Sequence, residues 1–207
     1  MNHHSKIYLT VVMPALFILM AGFFIFIALK TLVQRRPMIF SSRWLFGFMV
    51  LAFLPMFLNS LIFGFSSRHA GSFEWINPAM FAVLLVFFWF QMKGYVAFAI
   101  SDTYFRDALL SAAAALGYSI EETMSCLKIK ETGEEMQVSI QGWMGTAQLK
   151  PTKGKSAEVV ARIAGGMSRY FETTPGKMNY LTSYFYLIMG GFMIVCAGSL
   201  FFLIQQG

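Results

Sequence analysis

The chain alternates between long stretches without a charged side chain and segments that carry the charges. Four stretches contain no Asp, Glu, Lys or Arg, and these are residues 7–29, 44–67, 75–92 and 178–207. A helix needs about 20 apolar residues to cross the hydrocarbon of a bilayer. The pattern therefore predicts four transmembrane helices at these positions, of which the third is only just long enough.

The segment between the third and fourth stretches, residues 93–177, has the composition of a water-facing domain. It holds 10 of the 16 Lys and Arg residues and 9 of the 10 Asp and Glu residues. A segment of this length can bury a small core of its own. We therefore expect three transmembrane helices in residues 1–92, an inserted cytosolic domain, and a fourth transmembrane helix in residues 178–207.

At the start of residues 93–177, the hydrophobic pattern suggests a strand followed by a helix. The apolar run at 95–100 suits a buried strand or a continuation of the third helix, and we favour the strand. Ser101 or Asp102 then caps an amphipathic helix that Gly117 ends.

Further along, alternating apolar and polar positions predict a hairpin. Its strands are residues 127–130 and 136–141, joined by a turn at residues 131–134. Another short strand at residues 146–149 follows a bend that contains Trp143.

A second amphipathic helix starts at Ser156. Gly165 and Gly166 in its interior each weaken the helix by about 1 kcal/mol relative to alanine, so a neighbouring element must pack closely there. The resulting order, (β)αβββα, indicates a small α+β domain with an antiparallel sheet and helices on one face.

Lys and Arg are concentrated on one of the two membrane faces that four helices create. That face receives 14 of the 16, whereas the other receives only Lys6 and Arg68. Because Lys and Arg collect in cytoplasmic loops, we expect both termini outside the cytoplasm and residues 93–177 inside it, in an inner or plasma membrane. The first apolar stretch is too long for a cleaved signal peptide, so we expect it to be retained.

Small residues recur at seven-residue spacing in the first and fourth predicted helices. They are Ala15, Gly22, Gly191 and Gly198. Such seams let another helix approach closely, so we expect contact with other membrane subunits or with a second copy. Trp44 and Tyr180 lie near the beginnings of the second and fourth helices, where aromatic residues anchor helices at the membrane interface.

The predicted helices contain no ionisable group of the kind that carries protons or ions through a membrane. The second helix contains Pro55, which predicts a kink. It also contains Asn59, the most strongly polar side chain in the interior of the predicted transmembrane helices. An alternative function is therefore a pore-forming or transport subunit that acts as an oligomer, with these two residues beside its path.

The sequence contains no recognisable catalytic, metal or cofactor site. All three histidines fall on the face opposite the acidic residues of the inserted domain, so a Ser-His-Asp site would have to span the bilayer. Residues 149–156 match only the final Gly-Lys-Ser of a phosphate-binding loop, and Leu149 stands where the motif requires its first glycine. The same segment carries Lys150, Lys153 and Lys155, which are candidate contacts for anionic lipid headgroups.

Together, these patterns predict a non-enzymatic, multi-pass membrane protein that presents a cytosolic interaction module. Its expected role is that of an accessory, scaffold or sensory subunit in a membrane assembly. The expected partners are the lipid bilayer and other membrane subunits or a second copy. A net charge of +6 reflects the membrane topology, so we do not expect nucleic-acid binding.

Overall fold

The computed structural model describes residues 11–66, 76–122, 126–152 and 156–205. The elements in chain order are α1 Met13–Gln34, β1 Met38–Ser41, α2 Ser42–Ser66, α3 Ile76–Gln91, β2 Tyr95–Phe98, α4 Asp102–Ala115, β3 Ile120–Glu122, β4 Cys126–Ile129, β5 Glu135–Gln141, β6 Thr146–Pro151, α5 Ser156–Thr173 and α6 Tyr180–Gln205. The chain divides into a helical unit and a sheet unit. The helical unit comprises Met1–Ile25, Trp44–Met92 and Ile188–Gly207, and the sheet unit comprises Phe26–Arg43 and Lys93–Leu187.

Three helices in the described part of the chain are long and apolar enough to cross a membrane. They are Met13–Gln34, Ser42–Leu61 and Tyr180–Phe202. The third predicted span corresponds to α3, which has 16 residues and is about 24 Å long at 1.5 Å per residue. This is shorter than the roughly 30 Å of hydrocarbon in a typical bilayer, so a crossing at residues 75–92 stays a prediction.

Helix α1 extends further toward its C-terminus than the uncharged stretch at 7–29 suggests. It continues through Lys30 and ends at Gln34. A lysine near the end of an apolar helix can lay its methylene stem along apolar surface while its ammonium reaches a polar environment. Arg35 follows with a φ of 49°, and this left-handed conformation ends the helix before β1.

Aromatic side chains join neighbouring helices in the helical unit. Phe23 of α1 stacks on Phe48 of α2 with ring centroids 3.8 Å apart, and Phe57 of α2 stacks on Phe81 of α3 at 5.1 Å. Between Ser42 and Leu61, only Ser42 and Ala52 are buried. Such extensive apolar exposure is typical of a surface that lipid or another protein covers.

Among its described residues, the sheet unit contains six antiparallel strands in the order β1-β2-β6-β5-β4-β3. One face of the sheet packs against α4 and α5. Their interface forms the core, whose largest fully buried members include Phe105, Ile129, Met136, Leu149, Ile163 and Met167. Burial of these apolar side chains supplies the main driving force for folding of the unit.

Several predicted local features are confirmed. At the end of α4, the amide of Gly117 donates to Ala114 O at 3.0 Å and that of Tyr118 donates to Ala113 O at 2.9 Å. This pair of bonds is the Schellman arrangement, in which glycine adopts a positive φ. In α5, a Cβ on Gly166 would lie 2.9 Å from Ala112 Cβ, so the predicted close packing is confirmed there. A Cβ on Gly165 would have no atom within 4 Å, so the prediction is wrong for that residue.

The antiparallel sheet with two helices on one face is confirmed, but the predicted strand count is wrong. The described sheet has six strands rather than four. The additional strands are β1, which pairs Met38 with Phe98, and β3, which pairs Ile120 with Ile129. They contain only four and three residues, too few for a period of two to stand out.

Candidate functional site

The sheet unit contains a pocket of about 450 Å³ beside β1. We call it the β1 pocket. The end of α1, the connection to β1, β1 itself and the end of α5 surround it. Its polar lining residues are Lys30, Gln34, Arg36, Ser168 and Glu172. Met38 and Phe171 contribute buried apolar surface, so the pocket combines charged and hydrophobic surface.

Two cations line the β1 pocket. Lys30 Nζ lies 5.6 Å from the ring centroid of Phe26 and 5.8 Å from that of Phe40, and both distances are in the range of a cation–π interaction. Arg36 is exposed, two residues after the end of α1. Within the described residues, neither cation forms a salt bridge. Their charges are therefore available to a ligand.

Tyr104 lies on α4 and packs against aromatic rings of α5. Its ring centroid is 5.8 Å from that of Tyr170 and 5.5 Å from that of Phe171, and its hydroxyl donates to the carbonyl oxygen of Thr174. Burial raises the pKa of Tyr104 and the neighbouring Tyr170 raises it further, although the charge of Arg36 acts to lower it. Tyr104 therefore remains a neutral hydrogen-bond donor at neutral pH.

A network of hydrogen bonds fastens the start of α6 to the sheet. Asn179 Nδ2 donates to Gly142 O at 2.7 Å, while its Oδ1 accepts from the amide of Leu181 at 3.0 Å. The second bond caps the helix N-terminus. The hydroxyl of Thr182 also donates to the carbonyl oxygen of Met144. One residue therefore caps α6 and holds the short helical turn Gly142–Met144 in place.

That turn, which we call the Trp143 turn (Gly142–Met144), presents a large aromatic side chain to the exterior. Trp143 is 74% exposed. Gly145 ends the turn with a φ of 59°, and a Cβ at that position would lie 2.4 Å from Thr182 Oγ1. Glycine is therefore required both by the backbone conformation and by the close approach of α6. The sequence pattern predicts a bend at Trp143 but no role for this side chain.

Helices α1 and α6 also meet inside the sheet unit. Thr31 Oγ1 and Ser183 Oγ lie 2.7 Å apart and share a hydrogen bond. Both side chains are fully buried in the fold, at 1% exposure each. A hydroxyl pair of this kind joins apolar helices without leaving a buried polar group unpaired.

The predicted small-residue seams do not pack within the chain. Their four residues, Ala15, Gly22, Gly191 and Gly198, are all exposed. A Cβ at each of the three glycines would have no atom within 4 Å. The contact between α1 and α6 instead uses Gly190, where a Cβ would lie 3.3 Å from Ala21 O and 2.6 Å from Ile25 Cγ1. The predicted seams are therefore open surfaces in the single chain.

The other predicted membrane residues are distributed over two helices. Pro55 and Asn59 are half-buried within α2. Trp44 is 75% exposed in α2 and Tyr180 is 42% exposed at the start of α6. Their predicted roles as a pore lining and as interfacial anchors stay predictions.

The predicted lysine cluster is described only in part. Lys150 is half-buried on β6, where it lies opposite Gln137 of β5. Lys153 and Lys155 lie outside the described residues. The structure therefore does not test whether the three lysines form one surface.

In the part of the chain that the structure describes, no group of three or more His, Cys, Asp and Glu side chains is placed to hold a metal. Comparison with protein-family models, curated proteins and solved structures gives no match for this chain.

Sequence reasoning did not find the β1 pocket because most of it depends on β1. The sequence pattern predicts only a loop between two apolar stretches at these residues. The adjacent cations indicate the membrane orientation and no binding site. One signal is present in retrospect, since Met38, Ile39 and Phe40 are three consecutive apolar residues that follow Arg35 and Arg36.

Proposed function

We propose that this chain is a multi-pass membrane protein whose sheet unit is a cytoplasmic interaction module of a larger assembly. In this proposal α1, α2, α3 and α6 all cross the bilayer, and the short α3 is accommodated by local thinning of the membrane. The module receives a signal or a subunit and acts on the helices to which it is attached. The chain is thus an accessory, scaffold or sensory subunit, with no catalytic role.

The observation that carries the proposal is that both α1 and α6 have turns inside the sheet unit. The Thr31–Ser183 hydrogen bond joins the two helices, and Asn179 fastens α6 to the sheet. Tyr186 of α6 also packs against Phe98 of β2 with ring centroids 5.8 Å apart. Because packed interfaces transmit displacements rather than absorb them, a partner that moves the sheet would also move two apolar helices.

Trp143 supports a position of the sheet unit close to the membrane. Its turn is hydrogen-bonded to the first turn of a 26-residue apolar helix. Exposed Tyr180 lies in the same turn of α6. Tryptophan and tyrosine favour the interface between hydrocarbon and water, so we propose that the Trp143 turn contacts lipid where α6 enters the bilayer.

Fluorescence quenching tests this contact. A variant that retains only Trp143, with Trp44, Trp75 and Trp89 replaced by phenylalanine, is reconstituted into vesicles that contain brominated lipid. We expect strong quenching. The matched control places the reporter on α4 through Leu110→Trp with Trp143→Phe, and it should be quenched much less because α4 covers the sheet face opposite Phe98 and Tyr186. Equal quenching at both positions would argue against the contact.

Cysteine labelling tests the orientation. In a background with Cys126→Ser and Cys196→Ser, Gln137→Cys places a thiol on an exposed position of the sheet unit. A membrane-impermeant maleimide should label it in inside-out vesicles but not in intact cells. Asn2→Cys should give the reverse result. Labelling of both positions from the same side would exclude an odd number of crossings between the first residues and the module.

Native purification tests the role in an assembly. The chain is extracted in a mild detergent at natural expression level, and the mass and composition of the particle are measured. A stoichiometric complex with other subunits supports the accessory function. A homo-oligomer that conducts ions, with flux abolished by Asn59→Leu, would instead establish the pore-forming alternative.

A further inference from the structure

From the chemistry of its lining, we infer that the β1 pocket binds a phosphate-bearing ligand. Lys30 and Arg36 both line it, and Glu172 is the one acidic residue among the described lining residues. The lining therefore has a net positive charge at neutral pH. This inference extends beyond the interaction function proposed above and requires no protein partner, so its failure would leave that proposal unchanged.

The two cations have complementary properties. The Lys30 ammonium is held by the faces of Phe26 and Phe40, and such contacts fix a cation without neutralising its charge. The Arg36 guanidinium is exposed, and its planar fork matches the oxygens of a phosphate group. An anion between them would be bound by a positioned point charge and by a bidentate donor.

Neutral donors and apolar surface complete the pocket. Gln34 and Ser168 line it, and an amide and a hydroxyl both donate hydrogen bonds to phosphate oxygens. Met38 and Phe171 supply buried apolar surface. Since the volume of about 450 Å³ falls within the roughly 300–1,000 Å³ of small-molecule sites, the pocket has room for an organic group beside the phosphate. We therefore assign it to a phosphate ester.

Two sources can supply this chemistry, a phospholipid headgroup and a soluble phosphate ester. A phospholipid headgroup is a candidate because Lys30 and Arg36 lie at the C-terminal end of a helix that is long and apolar enough to cross a membrane. Headgroup phosphates lie at that level of a bilayer. The experiment uses both sources as separate probes.

In the lipid arm, native mass spectrometry counts the phosphatidylglycerol molecules retained by the full-length chain when it is released from maltoside micelles. In the soluble arm, glycerol 3-phosphate and inorganic phosphate are titrated into lipid-stripped protein, and binding is followed by ³¹P line broadening. The test variant is Lys30→Gln with Arg36→Gln. The control is Arg35→Gln with Arg43→Gln, which removes the same charge from residues that do not line the pocket.

We expect the test variant to reduce binding about five-fold or more through the loss of charge-assisted hydrogen bonds, while the control changes it less than about two-fold. Loss confined to the lipid arm identifies a headgroup, and loss confined to the soluble arm identifies a free ester. If the double variant is unstable, Arg36→Gln alone provides the test because this side chain is exposed. Equal loss in test and control variants, or no binding of any probe, would overturn the inference.

Discussion

Gly94 lies just before β2 and contacts both β6 and the first residue of α2. Its φ is 93°, and a Cβ there would lie 2.0 Å from Leu149 O. Its carbonyl oxygen accepts a hydrogen bond from the amide of Ser42 at 2.9 Å. The residue thus brings the start of β2 against β6 and also binds the first residue of α2.

Gly94→Ala is expected to destabilise the sheet unit more than Gly117→Ala. Both glycines have a positive φ, but a Cβ on Gly117 would have no atom within 4 Å. Gly117→Ala should therefore cost only the strain of a left-handed alanine, about 1–2 kcal/mol, whereas Gly94→Ala adds a collision with backbone. Thermal unfolding of the detergent-solubilised variants measures both effects. Equal unfolding midpoints for the two variants would show that β2 and β6 adjust to the added methyl group without loss of stability.

A second prediction at the residue scale concerns Glu131. Both of its carboxylate oxygens accept a hydrogen bond from the amide of Ser119 at 2.9 Å. Hydrogen bonds from the Ser119 side chain, which has the larger effect, and from this amide favour the ionised form and lower the pKa of Glu131. Because the folded-state pKa is depressed, the contribution to stability is present above the unfolded-state pKa and is lost as the pH falls through the folded-state pKa.

Glu131→Gln should therefore lower the melting temperature at pH 7, and the difference from the natural chain should shrink toward zero as the pH is lowered through the acidic range. Glu121→Gln, an exposed carboxylate on the neighbouring β3, is the control. A difference for Glu131→Gln that is constant with pH would show that ionisation of the carboxylate is not the cause.

At the scale of elements, the contact between α1 and α6 rests on a buried hydroxyl pair. Thr31→Val and Ser183→Ala each remove one partner of the 2.7 Å hydrogen bond and leave the other with one bond fewer. We expect the double variant to be less destabilised than the sum of the single variants, by about 0.6 kcal/mol, the average for such pairs in membrane helices. Unfolding free energies of the four proteins give this coupling. A coupling of zero would mean that the pair does not hold the helices together.

The spacing of small residues on α1 and α6 does not by itself specify which residues form their contact. Seven-residue spacing of small residues predicts that α1 and α6 have surfaces for contact with another chain, and this stays a prediction. The contact between α1 and α6 within the chain uses positions one residue earlier. Gly190 and Ala197 are buried, whereas Gly191 and Gly198 are exposed. A single-residue displacement rotates the contact by about 100° around a helix. Spacing alone does not choose between adjacent registers, because both contain small residues.

At the scale of the whole molecule, the exposed seams remain surfaces for association with another chain. Gly22→Ile and Gly191→Ile place bulky side chains where the single chain leaves open space. We expect both to preserve the fold and to reduce the mass of the native particle if the seams are interfaces. Gly47→Ile on α2, where a Cβ would also contact nothing, is the control and should leave the mass unchanged. If the particle has the same mass in all three variants, the seams are not interfaces of the assembly.

The sequence was most informative where a structural pattern is long. The helix Asp102–Ala115, the strands of the β4–β5 hairpin and the helix Ser156–Thr173 all follow from local periodicity. Ser101 precedes the first of these helices but makes no side-chain capping bond, and its hydroxyl donates to Lys177 O instead. The sequence was least informative for β1, whose four residues pair with a strand more than fifty positions later. It also missed the β1 pocket and the fastening of the Trp143 turn, since both require contacts between distant segments.

The amino-acid sequence by itself determined the apolar helices, the charged character of the segment between them and the presence of a small antiparallel sheet. These properties arise from composition and from periods of two and 3.6 residues, which local sequence contains. Tertiary structure decided that β1 completes the sheet, that Lys30 and Arg36 share a pocket, and which face of α6 meets α1. The reason is physical: a period specifies which residues share a face, whereas the partner of that face is selected by the packing of the entire chain.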